Sequence, residues 1–283
     1  MKRITTALLA GALTAALTGT ATSAVQAETA ARPSGPTAYG LTNQGALVKF
    51  ALTSPDRGRK VGPVSGLGPG EKLVGIDFRP EDGRLYGVGD QGGLYTINHR
   101  NAAAKQVGQF TVPLQGSRFG VDFNPAVDAL RVVSNTGQNL RHNPDPGGTT
   151  TMDTALTTPP ATDPTLGMAG VAYTNNDNST ATGTSLYDLD TNLDQVAQQV
   201  PANAGTLSPT GMFGVDATGG SGFDILSRFE NDRTVSNRGF AILKVNGRRA
   251  LYSVDVLSGD VNRIARFGGA TRGTVDLAVV QGR

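Results

Sequence analysis

A strand motif recurs along most of this chain, and such self-similarity constrains the fold more strongly than any other feature. Three copies, at 94–98, 186–190 and 251–255, read Leu, Tyr, any residue, an aliphatic residue and then Asn or Asp. Looser copies begin at Leu47 and Leu140. The leading leucines are separated by 47, 46, 46 and 65 residues, so the chain repeats one unit of about 46 residues.

A second motif precedes most of these copies. It places an aspartate between two apolar residues after a glycine at 75–78, 120–123 and 222–225, and it returns with threonine in place of glycine at 274–277. Further apolar runs such as 85–88 fall between the two motifs. Short β-branched or aromatic runs between turn residues are typical of strands, and 38 glycines with 15 prolines leave little room for ordinary helices.

Four strands in each unit of this size predict an all-β propeller, with one blade for each unit. The chain begins with the second strand of a unit near Tyr39 and ends with an isolated first strand near Asp276. These fragments complete each other only if the ring closes through pairing of the two terminal strands. We predict five blades, with six as the alternative if an insertion placed between residues 212 and 237 is itself a degenerate blade.

The beginning of the chain has the pattern of a secretory signal peptide. Lys2 and Arg3 precede an apolar run, and small residues lead to a cleavage site after Ala27. We therefore predict a signal peptide over 1–27, a flexible linker over 28–36 and one propeller domain over 37–283. The apolar run is shorter than the roughly 20 residues that a bilayer span needs, so we expect a secreted protein without membrane insertion.

Charge and cysteine content narrow the classes of partner. Without Lys2 and Arg3 the 25 basic residues become 23, which equals the 23 acidic residues. We expect no nucleic-acid partner, because phosphate binding needs a concentrated excess of Lys and Arg. The chain has no cysteine, so its stability must come from a large core and not from disulfides.

The stretch GVDFNPAVDALRVVSNTGQNLR at 120–141 closely resembles the signature of a secreted bacterial family known as domain of unknown function 4394. The sequence AYTNN at 172–176 and the strand at 222–225 resemble other blocks of that family, in the same order along the chain. The resemblance implies export and a propeller-like repeat. It implies no established activity, and it carries over no catalytic residue.

Four aspartates recur on the predicted innermost strand and are candidate metal ligands: Asp77, Asp122, Asp224 and Asp276. Carboxylates that converge from several blades suit a hard cation, calcium being the one we consider. Alternatively, each carboxylate accepts hydrogen bonds from the turn that follows and pins one strand to the next. We favour the structural interpretation, since a residue repeated in most units usually serves the unit.

The third unit is unusually polar and supplies five candidate ligand-binding residues: Arg131, Asn135, Gln138, Asn139 and Arg141. Two guanidinium groups and several amides suit a carboxylate, a phosphate or a sugar. The same side chains also suit a network between blades that involves Asp122 and Asp128. We leave both interpretations open.

The acidic run Asp188, Asp190, Asn192 and Asp194 resembles a calcium loop, because its oxygens recur at alternate positions. It lacks the glycine and the distal glutamate of an EF-hand. When the copies of the Leu-Tyr motif are aligned, Asp190 takes the position of Asn98 and Asp255 at the end of a strand, where Asn and Asp favour a turn. We therefore favour a structural turn.

His99 and His142 are the only histidines, and we expect both in exposed turns. No Gly-x-Ser-x-Gly elbow accompanies them, and two histidines without cysteine exclude the usual zinc sites. The residues therefore favour a non-catalytic binding or scaffold protein for a small molecule, glycan or protein. The alternative is a calcium-dependent hydrolase of the lactonase type, with its site at the channel mouth.

Overall fold

The computed structural model describes residues 35–179, 181–219 and 222–282. Across these residues, twenty strands form five antiparallel sheets of four strands, arranged as the blades of a propeller. Two short 3-10 helices lie at Ala202–Ala204 and Gly269–Thr271, and no helix in the described part is long and apolar enough to cross a bilayer. The all-β, five-bladed prediction is confirmed. The predicted signal peptide and most of the predicted linker lie outside the described residues.

The blades follow one another in chain order. The first blade contains β1 (Thr37–Thr42), β2 (Ala46–Ala51) and β3 (Ser54–Pro63). The second contains β4 (Leu73–Phe78), β5 (Leu85–Gly89), β6 (Gly93–Ile97) and β7 (Ala104–Gln109). The third contains β8 (Phe119–Asn124), β9 (Ala129–Ser134), β10 (Asn139–His142) and β11 (Thr150–Met152).

The remaining strands complete the ring. The fourth blade contains β12 (Met168–Tyr173), β13 (Leu186–Asp190), β14 (Gln195–Gln199) and β15 (Leu207–Met212). The fifth contains β16 (Phe223–Glu230), β17 (Arg233–Val245), β18 (Arg248–Val254) and β19 (Val261–Arg266). The last strand is β20 (Thr274–Val279), and it supplies the first blade with its inner strand. The inner strands β20, β4, β8, β12 and β16 contact one another around the ring.

Closure of the ring occurs where the repeat predicts it. β20 pairs antiparallel with β1, with Ala38 opposite Val279 and Leu41 opposite Asp276. The first blade is therefore built from both ends of the described chain. The completed first blade is one four-stranded sheet, and its inner strand β20 contacts the inner strands of the fifth and second blades.

Turn chemistry explains how the sequence produces these hairpins. β17 and β18 are joined by Asn246 and Gly247, whose φ angles are 50° and 74°. Two consecutive residues with positive φ form the turn whose twist matches a two-stranded hairpin, and Asn-Gly is its preferred sequence. The turn thus sets the register that places Val245 opposite Arg248.

One feature of the predicted repeat is wrong. Leu47, Leu94, Leu140 and Leu251 lie on the third strand of their blades, whereas Leu186 lies on β13, the second strand of the fourth blade. The third strand of that blade is β14, which lacks the Leu-Tyr motif. Asp190 is therefore not equivalent to Asn98 and Asp255. The extra residues are divided between the loop at 174–185 and the long β16–β17 hairpin, and do not form one insertion.

The core lies between successive blades, as strand alternation requires. On β9, Leu130 and Val132 pack against residues of the second blade, while Val133 packs against the fourth. Glycine lets the inner strands approach closely: a Cβ at Gly75 would lie 2.4 Å from Val121 of the next blade. This close approach brings the aspartates of the inner strands towards one another.

Candidate functional site

Each inner-strand aspartate accepts a hydrogen bond from the inner strand of the next blade. The four carboxylate to backbone N–H bonds are Asp224 to Val279, Asp276 to Ile76, Asp77 to Phe123 and Asp122 to Tyr173, at 2.5, 2.7, 2.8 and 2.9 Å. Asp77 also accepts a bond from the adjacent N–H of Phe78, at 2.7 Å. The carboxylates therefore link neighbouring blades around the channel. Their hydrogen bonds are not confined to the turn that follows their own strand, as the structural interpretation had assumed.

The fourth blade breaks this pattern and uses a different link. Ala172 occupies the position of the aspartates, two residues after Gly170. The junction with the fifth blade is instead made by Asn176, whose N–H donates to Ser227 Oγ at 3.1 Å and whose Nδ2 donates to the carbonyl of Ile225 at 3.3 Å. A neutral amide thus replaces the fifth carboxylate.

Burial gives the four carboxyls an unusual protonation equilibrium. Burial, and secondarily the charge of Asp224, raises the pKa of Asp77 well above its ordinary value. Burial, with the charges of Asp77 and Asp224, does the same to the pKa of Asp122. Burial raises the pKa of Asp224 to about 7 and also raises that of Asp276. The ring therefore carries fewer than four negative charges at neutral pH.

Three of these carboxyls come close enough to share a cation. One oxygen from each of Asp77, Asp122 and Asp224 lies within 4.8 Å of the others, whereas Asp276 is outside this group. Carboxylate oxygens are the ligands that calcium prefers. Negative charges on neighbouring carboxylates repel one another, and either a bound cation or protons held by the carboxyls would relieve that repulsion. The arrangement therefore fits both a cation site and a protonated cluster.

A loop from the fourth blade reaches across one end of this ring. Asn178 donates from Nδ2 to the carbonyl of Pro80 in the second blade at 2.7 Å, and Asp177 accepts from the N–H of Thr234 in the fifth blade at 2.8 Å. The second and fourth blades are not neighbours, so the loop spans the channel mouth.

Arg131 and Arg141, candidates for ligand binding or for a network between blades, lie in a network that joins the third and fourth blades. Arg131 is 1% exposed, and its guanidinium contacts Asn139 Oδ1 at 2.6 Å, Asp153 at 2.7 Å and Asn203 Oδ1 at 2.8 Å. Arg141 reaches the same carboxylate of Asp153 at 3.1 Å. Three of the five predicted residues therefore converge, but their polar atoms already bind protein groups. Their carboxylate partner is Asp153, and neither Asp122 nor Asp128.

The other two predicted residues support a neighbouring loop. Asn135 Oδ1 accepts from the N–H groups of Ser117 and Arg118, at 2.8 and 2.9 Å. Gln138 accepts from Gln115 N–H at 2.8 Å and donates to the carbonyl of Pro113 at 2.9 Å. Both amides bind the backbone at 113–118 and do not join the arginines.

The acidic run contains a turn, in agreement with the interpretation that we favoured. Asp190 Oδ1 accepts from Asn192 N–H at 2.8 Å and from Leu193 N–H at 3.1 Å. Asp188 points elsewhere: it is fully buried, and neither of its oxygens has a hydrogen-bond partner. Burial raises the pKa of Asp188 to about 8, while the charge of Arg131 opposes that rise.

The prediction of exposed turn histidines is wrong for His142. This residue lies on β10, is 1% exposed and stacks on Phe110 with ring centroids 4.3 Å apart. His99 does lie in a turn, but it is only partly exposed and packs against two rings. Its ring centroid is 5.2 Å from that of Tyr39 and 6.3 Å from that of Phe78.

This aromatic group borders a cavity of about 570 Å³ that sequence reasoning missed. The cavity lies at the end of the ring where the inner strands finish, and its lining includes Tyr39, Lys49, Phe78, His99, Asn176 and Gln281. Lys49 Nζ lies 5.4 Å from the centroid of the Tyr39 ring. The residues come from different units and different repeat positions, so no sequence signal grouped them before ring closure was known.

Solved structures resemble the fold at low sequence identity. A structural genomics protein of unknown function from Bacteroides thetaiotaomicron has a TM-score of 0.50 and 15% identity, over 88% of this chain and 67% of its own. A protein from Lactobacillus plantarum has a TM-score of 0.41 and 14% identity, over 86% and 71%. An auxiliary nutrient binding protein from Bacteroides ovatus has a TM-score of 0.40 and 12% identity, over 79% and 57%.

Comparison with curated proteins finds no match. The family model described as Domain of unknown function (DUF4394) matches residues 46–278. This range contains the four inner-strand aspartates and nineteen of the twenty strands, all but the last residue of β20, while β1 lies before it. The match extends far beyond the segment at 120–141 that first suggested the resemblance. The chain therefore belongs to the family of domain of unknown function 4394.

Proposed function

We propose that this protein is exported and acts as a non-catalytic binding propeller, with a small ligand in the cavity at the end of the inner strands. The observation that carries the proposal is the cavity itself, which combines aromatic rings with polar groups from several blades. Its volume of about 570 Å³ lies within the range of small-molecule sites. The signal-peptide pattern at the beginning of the sequence supports export.

The lining favours a ligand with an apolar face and several hydroxyl groups, and a short glycan has both. Phe78 and His99 offer ring surface, while Lys49 offers a hydrogen-bonding group. Rings provide contact area at low entropic cost, and a few polar groups orient the ligand.

The calcium-dependent hydrolase is not favoured. Its three converging carboxyls are buried and already accept hydrogen bonds from the backbone of neighbouring blades. A lactonase-type site needs a cation that the substrate can reach. Elemental analysis of the purified protein, with melting curves before and after chelation, separates the two functions. Bound calcium together with a large loss of melting temperature would favour the hydrolase.

A glycan-binding experiment tests the proposal. The purified protein is screened by thermal shift against soluble mono- and oligosaccharides, and hits are measured by calorimetry. We expect at least one saccharide to bind saturably. Lys49→Ala or His99→Ala should lower the affinity for that saccharide tenfold or more, since each substitution removes a group that lines the cavity.

Lys60→Ala is the matched control, because Lys60 is an exposed lysine on β3 outside the cavity. This variant should bind like the unmodified protein. Equal weakening by Lys60→Ala, or the absence of any ligand in the panel, would count against the cavity as a glycan site.

A further inference from the structure

A second pocket, of about 290 Å³, lies at the outer edge of the fifth blade and is strongly basic. Its lining includes Arg248, Arg263 and Arg266, together with Asn246 and Tyr252, and it contains no acidic residue. The pocket adjoins the β17–β18 turn. That turn is at the opposite end of the ring from the proposed ligand cavity, since the strands alternate in direction.

Strand register brings the arginines together. Arg248 and Tyr252 lie on the same face of β18, because residues four apart on a strand point the same way. On the outermost strand β19, Arg266 pairs with Ala250 and Arg263 pairs with Tyr252. A bulge between these pairs lets Arg263 and Arg266 face the same side although they are three residues apart.

The phenol of Tyr252 lies in the same pocket as these charges, on the strand residue that pairs with Arg263. Burial raises its pKa, and the positive charges of Arg263 and Arg266 oppose that rise. Both guanidinium groups therefore act on the floor of the pocket. Tyr252 itself is 5% exposed, so the pocket has a rigid base.

The three arginines lack carboxylate partners in the described part of the chain. The ion pairs found there involve Arg79, Arg131, Arg141 and Arg228 only. The nearby segment that bridges to Val245 through Ala217 contains the exposed Asp216, which forms no ion pair with them. Residues 222–273 contain nine basic and five acidic side chains, although the charges of the predicted mature chain balance.

We propose that this pocket binds a tetrahedral oxyanion, a phosphate or sulfate group, through Arg248, Arg263 and Arg266. Guanidinium groups match such anions because each offers parallel N–H donors, and an anion relieves the repulsion among three unpaired cations. Exposed single arginines are common and need no ligand. Three arginines that line one small pocket with no acidic residue form a more specific arrangement.

The test titrates inorganic phosphate and, separately, inorganic sulfate into isotopically labelled protein at constant ionic strength. We expect saturable amide shifts around Ala250 and Tyr252, which sodium chloride alone does not produce. The double variant Arg263→Ala/Arg266→Ala should bind the anion at least tenfold more weakly. Saturable binding of either anion supports the site. The anion that binds more tightly shows whether the site prefers a phosphate or a sulfate group.

The matched control is Arg249→Ala/Arg272→Ala, which removes the same charge from two positions outside the pocket. It should retain the anion affinity of the unmodified protein. Equal weakening by both double variants would show diffuse attraction and overturn the site, as would the absence of saturation by either anion. Melting curves check that all variants are folded, and Arg248→Ala provides a further single-residue test.

Discussion

Asp188 is an ionisable residue in surroundings that disfavour its ionised form. Its carboxyl lies on β13 with no hydrogen-bond partner for either oxygen, and Arg131 is near enough to influence its charge. Burying an ionised carboxylate without partners is costly, so the group keeps its proton. With a pKa of about 8, the folded protein holds this proton at neutral pH, whereas the unfolded chain releases it near pH 4.

Asp188→Asn should change how stability depends on pH. The folded-state pKa is raised, so the unfolded chain ionises first as pH increases. The contribution of Asp188 to stability therefore falls between about pH 4 and pH 8 and is constant above that range. The neutral amide has no such loss, so the stability of the variant relative to the unmodified protein should increase by about 4 kcal/mol between pH 5 and pH 9.

Urea unfolding at several pH values measures this difference. The other buried carboxyls are present in both proteins, so their contribution cancels in the comparison. Asp216→Asn, at an exposed position, is the control and should stay within about 0.5 kcal/mol of the unmodified protein. A constant difference between Asp188→Asn and the unmodified protein at all pH values would contradict the assignment.

At the level of the elements, the inner strands hold the blades together by polar contacts as well as apolar packing. Gly75 allows β4 to approach β8, and Asp77 then reaches the backbone of Phe123. The fourth blade has Ala172 at this position and depends on Asn176 of the following loop. The repeat thus supplies four equivalent links, and the longest loop between an inner strand and its neighbour supplies the fifth.

Asp77→Ala should destabilise the protein by about 2 kcal/mol. The substitution leaves the buried N–H groups of Phe78 and Phe123 without their acceptor, at a typical cost of about 1–3 kcal/mol each, and relief of repulsion from Asp224 offsets part of it. Denaturant unfolding at pH 7 is the measurement. Asp56→Ala, at an exposed position on β3, should stay within about 0.5 kcal/mol of the unmodified protein.

For the whole molecule, the decisive feature is the closure of the ring by β20. This strand completes the first blade and buries Leu277, Ala278 and Val279, each no more than 1% exposed. Its Asp276 also provides the link to the second blade. Without it the first blade would present an open edge and an uncovered apolar face.

Deletion of residues 274–283 should therefore abolish the cooperatively folded monomer. We expect loss of the sharp melting transition and appearance of oligomers, measured by circular dichroism and size-exclusion chromatography. A circular permutant that places residues 274–282 before residue 35 keeps β20 next to β1 and should fold normally, because Ala38 and Val279 already pair. A stable monomer after the deletion would show that closure is dispensable.

Local sequence patterns were enough to establish the strands, their number in each blade and the closure of the ring. Alternation and turn residues such as Asn246-Gly247 act within a few residues, so they can be read without the tertiary structure. The fold was therefore largely predictable. The position of each strand within its blade was harder to predict. Leu186 matches the motif of a third strand and yet lies on a second strand.

Only the tertiary structure decided which polar residues face one another. For Arg131 and Asn139 the sequence left a ligand site and a network between blades open, and packing of the third blade against the fourth places Asp153 and Asn203 beside the guanidinium. The ligand cavity and the arginine pocket depend in the same way on strand pairing and bulges. Side chains from distant parts of the chain become neighbours through strand register and the packing of one blade on the next, and those are properties of the folded ring rather than of any local run of residues.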